Sequence, residues 1–205
     1  MNWASGKDLI DELAGISLAN VFNPYRDRCQ LHDLPNAPAI RRSNMETIMD
    51  AGLAAGADEL WVGLELGAKG GRRTGLPLTD EVNLQTCGEY WSSPALARAT
   101  SGAPVKEETA RFVWKAMNGR AGRVFFWNAF PFHTHGPDGI KNRGHTPAEF
   151  ACMPPILPWL VDALGVERIV ALGRPAERAL SRMRMPSRYV RHPGRGGGEL
   201  FLKSI

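Results

Sequence analysis

The chain has 205 residues, of which 43% are hydrophobic and 22% charged, the balance of a soluble α/β domain with a full core. Lys and Arg number 25 against 21 Asp and Glu, a net +4, too slight to mark a nucleic-acid binder by charge alone. Cys29, Cys87 and Cys152 lie far apart, which excludes a disulfide framework and falls short of a four-cysteine cluster. The N-terminal MNWASGKDLIDELAG lacks the charged-then-apolar pattern of a secretion signal, and no run approaches the ~20 apolar residues of a membrane span. The expectation is a soluble, cytoplasmic protein.

In chain order, an N-terminal helix and an irregular arm are expected over residues 1–43, with Asn23–Arg42 rich in proline and asparagine. A helical pattern over Met45–Gly56 precedes a strand at Leu60–Glu65. Lys106–Asn118 precedes a strand at Arg123–Phe130. Thr146–Leu164 opens with a capping-box spacing, is divided by Pro154, Pro155 and Pro158, and precedes a strand at Arg168–Gly173. Arg174–Arg184 precedes a last strand at Arg188–His192. The middle two strands are nearly continuous apolar runs, as strands covered on both faces are. Alternating helices and strands predict one domain over 1–205, built on a parallel sheet between helices.

Ligands of such sheets bind beyond the carboxyl ends of the strands. There the sequence places Glu65 and a glycine loop, then Asn128, then Gly173-Arg174, then His192 and the loop HPGRGG. Glu65 reads as a general base or cation stabiliser, or as a plain strand-end ion pair. Asn128 sits between FFW and AFPF, so its amide is expected to be buried and must spend both ends on partners. His192 reads as a structural histidine or as an oxyanion stabiliser. The glycine loop fits neither the P-loop nor GxGxxG, yet with Lys69, Arg72 and Arg73 it suits contact with phosphate. His133, His135, His145 and Asp138 lie in a Pro/Gly region without a matching ligand frame, so no metal is expected.

The order and spacing of five segments carry more than any one of them. GLELGAKGGRRTGLPLTDE (Gly63–Glu81), WNAFPFHTH (Trp127–His135), NRGHTPAEF (Asn142–Phe150), RIVALGRPAERAL (Arg168–Leu180) and RHPGRGG (Arg191–Gly197) together resemble the uracil-DNA glycosylase superfamily. The likeness is nearest to the branch whose first motif reads GEAPG. It implies a three-layer α/β/α fold with a central four-stranded parallel sheet. It further implies that uracil is flipped from DNA and its N-glycosidic bond hydrolysed, leaving an abasic site and free uracil. Under this resemblance Glu65 activates water or stabilises the sugar cation, Asn128 reads the base, and His192 steadies the leaving anion. Gly63, Leu64, Gly67, Leu78 and Phe130 would line the base pocket. Lys69, Arg72 and Arg73 would meet the DNA backbone, and Pro193, Gly194, Arg195 and Gly196 would form a loop that wedges into the duplex.

The chain departs from the family pattern at four points. Leu78 stands where an aromatic stacks on the base, which passes that role to Phe130, Phe132 or Phe22. Gly67 stands where the GQDPYH branch has the tyrosine that blocks thymine's methyl, which opens the pocket to mismatched thymine, hypoxanthine or xanthine. Gly194 replaces the serine of the HPS motif. The iron–sulfur cysteines of the GEAPG branch are missing, so no cofactor is expected. No lysine matches a lyase nucleophile, so a monofunctional enzyme is expected, and one active edge on a single domain makes a monomer the expectation. A damaged-DNA binder with little turnover is the alternative from another class, and a nucleotide hydrolase ranks last.

Overall fold

A computed structural model describes residues 3–94 and 96–205. Its central sheet has four parallel strands: β2 (Glu59–Gly63), β3 (Val124–Asn128), β5 (Arg168–Leu172) and β6 (Arg188–Val190), in the order β3-β2-β5-β6. All four expected strands form, each shorter at its carboxyl end and β2 starting one residue earlier, at Glu59. β2 stops at Gly63, so Glu65 lies in the turn beyond it. That turn stays tied to the segment after β3, because Ala129 N–H donates to Gly63 O and Phe130 N–H to Leu64 O. A second, two-stranded sheet pairs β1 (Val21–Phe22) with β4 (His133–Thr134) antiparallel. Strands of two residues leave too short a pattern to be read from sequence.

Helices cover both faces. Trp61 and Phe126 are register partners on β2 and β3, so they share a face. There they meet Phe201 of α9 (Gly198–Ser204) and Trp114 of α5 (Glu108–Met117), edge to face at ring separations of 5.6 and 5.5 Å. Such pairs add about 0.5–1.5 kcal/mol each beyond the area they bury. Phe125, one residue on, faces the opposite side, as the period of two requires. It lies against Gly52 of α2 (Ala37–Ala55), where a Cβ would come within 2.6 Å of its ring. α1 (Gly6–Gly15) and α7 (Ile156–Leu164) pack on α2, and α8 (Arg174–Arg182) packs on β5 and β6.

The irregular arm is shorter than expected. α2 begins at Ala37, with Pro38 in its first turn. A proline there removes an N–H that had no helical partner anyway, so it marks a helix start where the composition reads as loop. The capping box forms as expected. Thr146 Oγ1 accepts from Glu149 N–H, Thr146 N–H donates to Glu149 Oε2, and α6 (Pro147–Ala151) is separated from α7 at Pro154-Pro155. A further short helix, α3 (Gly71–Thr74), interrupts the glycine loop, and α4 (Leu84–Tyr90) follows it.

Candidate active site

The carboxyl ends of the four parallel strands border an open cleft of about 1270 Å³. Glu65, Asn128 and His192 all line it, together with Gly63, Leu64, Gly67, Leu78, Lys69, Gly194 and Arg195. Sequence positions spread over more than half the chain therefore meet in one place.

Asn128 is the last residue of β3 and is 1% exposed. Its side-chain Oδ1 is buried and has no hydrogen-bond partner in the protein. Leaving such an acceptor unmet costs about 1–3 kcal/mol. Its register partner is Gly63, and a Cβ at 63 would fall 2.3 Å from that oxygen. The glycine at this position therefore makes the room the amide occupies. Leu78 covers the same spot from the other side, held in a left-handed conformation at φ 53°.

Glu65 is fixed from the far side of the cleft. Oε1 accepts the backbone N–H of His145 at 2.5 Å and its ring nitrogen Nδ1 at 2.8 Å. A carboxylate only accepts, so the Nδ1–H tautomer of His145 follows. The imidazole is stacked between Phe130 and Phe150, with ring centroids at 5.1 and 5.3 Å and interplanar angles of 20° and 24°.

His192 is held neutral. Burial lowers its pKa first, and the nearby Arg195 and Arg191 lower it further. Gly194 N–H donates to His192 Nδ1 at 3.0 Å. Nδ1 is thus an acceptor, and the proton of the neutral ring sits on Nε2, leaving that N–H as a donor.

One group in the cleft escaped the sequence reading. Glu107 is the N-cap residue of α5, where an acid looks like ordinary helix chemistry, but its side chain makes no capping hydrogen bond. Its carboxyl reaches back into the glycine loop instead. Ideal Cβ atoms on Gly67 and Gly70 would lie 2.0 Å from Glu107 Oε1 and 2.3 Å from its Oε2. Burial, with Asp80 adding to it and Lys69 opposing, pushes its pKa up to about 7. The bare backbone of this loop thus admits a carboxyl group.

Several expected contacts are corrected. Arg72 and Arg73 are 6% and 8% exposed, because the turn of α3 points them inward. Arg72 lies over the Phe22 ring at 4.5 Å, and Arg73 pairs with Glu81 at 3.0 Å and donates to Thr100 Oγ1. Neither is free to meet a phosphate. Phe130 is fully buried against His145 and Phe132, so it does not line the cleft. Phe132 and Phe22 are buried as well. Tyr189 lines the cleft, with Arg174 over its ring at 3.9 Å. Pro193 and Gly194 are buried, which leaves Arg195 and Gly196 as the exposed part of that loop.

The histidine of the Pro/Gly region on β4 is engaged within the protein. His133 Nδ1 and Nε2 face the carbonyls of Leu66 and Ile140, and burial pushes its pKa down to about 4. Among the described residues no group of three or more His, Cys, Asp or Glu could hold a metal ion. Among them, too, no helix is long and apolar enough to cross a membrane.

The four-stranded parallel sheet between helix layers, with its cleft at the strand ends, makes a three-layer α/β/α fold. The chain is similar to the crystal structure of wild-type Pedobacter heparinus SMUG2, at a TM-score of 0.62 and 14% sequence identity, over 98% of this chain and 95% of that one. The sequence matches no protein-family model and no curated protein.

Proposed function

We propose that the protein is a DNA base-excision glycosylase that takes uracil out of the duplex and hydrolyses its N-glycosidic bond. The observation that carries this reading is the buried, unpartnered Oδ1 of Asn128, a residue that lines the cleft. A fixed amide accepts from the N3–H of uracil and donates to its O4. Cytosine offers the opposite pattern at those atoms and is rejected, because a site built for one pattern is left unpaired by the other.

The remaining groups supply the chemistry. The C1′–N1 bond breaks and its electron pair leaves with the base, so the sugar gains positive charge and the base negative. The Nε2–H of His192 donates to the base O2 as charge gathers there. Glu65, locked by His145, supports the sugar cation and takes the proton of the water that adds to C1′. Pulling the base from the stack costs a few kcal/mol. Lys69, Arg191 and Arg195 at the rim of the cleft offset that cost through phosphate contacts and by filling the gap in the stack. One cleft on one sheet holds every group the reaction needs, which supports a monomer.

The test is release of uracil from an oligonucleotide with a single uracil, read by alkaline cleavage at the abasic site, beside Glu65→Gln and Asn128→Ala. Cleavage by the wild type and a loss of about 100-fold or more in each variant is expected. Wild-type rates in both folded variants would refute the roles. Tight, salt-dependent binding of lesion DNA with no base released would favour a binding protein instead.

A further inference from the structure

The sequence leaves a hole at position 67. Gly67 stands where the resemblance sets a large side chain against C5 of the base. In the folded protein that hole is filled from elsewhere in the chain. Glu107 Oε1 lies 2.0 Å from where the Cβ of residue 67 would be, and Glu107 Oε2 lies 2.3 Å from the corresponding point at Gly70. The carboxyl group therefore occupies the volume that a side chain on the loop would otherwise take, and it lines the cleft.

Two further contacts fix it there. Glu107 N–H donates to Asp80 Oδ2 at 2.6 Å, which anchors the start of α5 to the segment after the loop. Asp80 is itself buried and accepts the N–H and the Nδ2 of Asn83 through Oδ1. Two residues on, Thr109 Oγ1 lies 2.9 Å from the Cβ position of Gly194, so the same helix start also touches the His192 loop. Glu107 thus stands on the wall between the β2 turn and the β6 turn, while Glu65 is held to the other wall by His145.

We infer that Glu107 is a specificity-determining residue whose carboxyl, seated between Gly67 and Gly70, excludes bases carrying a methyl group at C5. This rests on the proposed uracil-excising activity. The argument is one of volume and polarity. A thymine methyl would have to displace the carboxyl or close off what solvent still reaches it, and C5–H of uracil would not. A pocket discriminates one methyl by roughly 10- to 200-fold. Truncating Glu107 returns the space that Gly67 and Gly70 leave.

The test compares uracil and thymine, each opposite guanine in the same duplex, for the wild type, Glu107→Ala and Glu107→Gln. The thymine-to-uracil excision ratio is expected to rise about tenfold or more in Glu107→Ala. It is expected to stay near the wild-type value in Glu107→Gln, whose amide keeps the volume. An unchanged ratio in a folded Glu107→Ala that still excises uracil overturns the inference and leaves the function standing. No uracil excision by the wild type overturns the function, and the inference falls with it. Should Glu107→Ala lose its cooperative melt, free uracil and free thymine are titrated into the wild type. Uracil binding about tenfold tighter supports the inference, and equal affinities overturn it.

Discussion

Glu65 accepts two hydrogen bonds from a single residue, the backbone N–H and the ring Nδ1–H of His145, at 2.5 and 2.8 Å. The ring that donates one of them is clamped between Phe130 and Phe150. A carboxylate at the lip of a strand is thereby given one orientation by a loop 80 residues further along.

Replacing His145 with Phe keeps an aromatic ring between Phe130 and Phe150 and removes the Nδ1 donor. Excision is expected to fall about 10- to 100-fold, since small misplacements of a reacting group carry penalties of that size. The thermal midpoint is expected to move little. Single-turnover excision beside a melting curve checks both. An unchanged rate would show that the backbone N–H alone positions Glu65.

Gly63→Ala puts a methyl 2.3 Å from Asn128 Oδ1. The amide must turn aside or the strands must spread, at about 1–3 kcal/mol. The expected outcome is a folded protein with uracil release reduced roughly 100-fold and less preference for uracil over cytosine. A lesion duplex assay with both bases reads it.

Glu107 gives stability a pH dependence of definite sign. Its pKa is raised from 4.5 to about 7 in the fold, by burial first and Asp80 second, with Lys69 opposing. Between those values the folded state binds more protons than the unfolded, so this contribution is lost as pH rises from about 4.5 through 7. His133 works in the opposite sense. Its pKa drops from 6.5 to about 4 on burial, so its contribution is lost as pH falls through that window. Glu107→Gln is expected to lose the alkaline decline and keep the acid one. Thermal midpoints across pH 4–9 would show it, and parallel curves for the two proteins would count against the shift.

The two kinds of arginine should separate cleanly. Arg73 and Glu81 form a buried pair at 3.0 Å, with side chains 9% and 0% exposed. Arg73→Ala leaves the Glu81 carboxylate with Arg98 at 3.8 Å as its remaining cation and is expected to cost about 3 kcal/mol of stability, the lower end for breaking a buried pair. Arg195 is exposed at the cleft, in a left-handed conformation at φ 54°. Arg195→Ala is expected to leave the melt intact, weaken DNA binding and lower the salt slope by about 1. Fluorescence anisotropy at several salt concentrations, beside denaturant melts, distinguishes them.

Much of this molecule was legible in one dimension. Strands such as Phe125–Trp127 announce themselves because a buried parallel strand must be apolar on both faces. Thr146 and Glu149 announce a helix start because orphan N–H groups need side-chain acceptors. Glu65, Asn128 and His192 were legible for a related reason. Each lies at the carboxyl end of a strand or within two residues of it, so knowing the strands locates them, and parallel strands put all their carboxyl ends on one edge. What the sequence could not reveal is which way a side chain turns when the answer depends on distant chain. Arg72 and Arg73 look like phosphate ligands until α3 rotates them onto Phe22 and Glu81. Phe130 looks like a stacking platform until His145 covers it. Glu107 looks like a helix-capping acid until the missing side chains of Gly67 and Gly70 give it a seat in the cleft. Local sequence thus determined the elements and their edge, because backbone hydrogen bonding and hydrophobic periodicity act over a few residues. Only the tertiary structure decided the walls of the site, because burial and steric vacancy are properties of the packed whole.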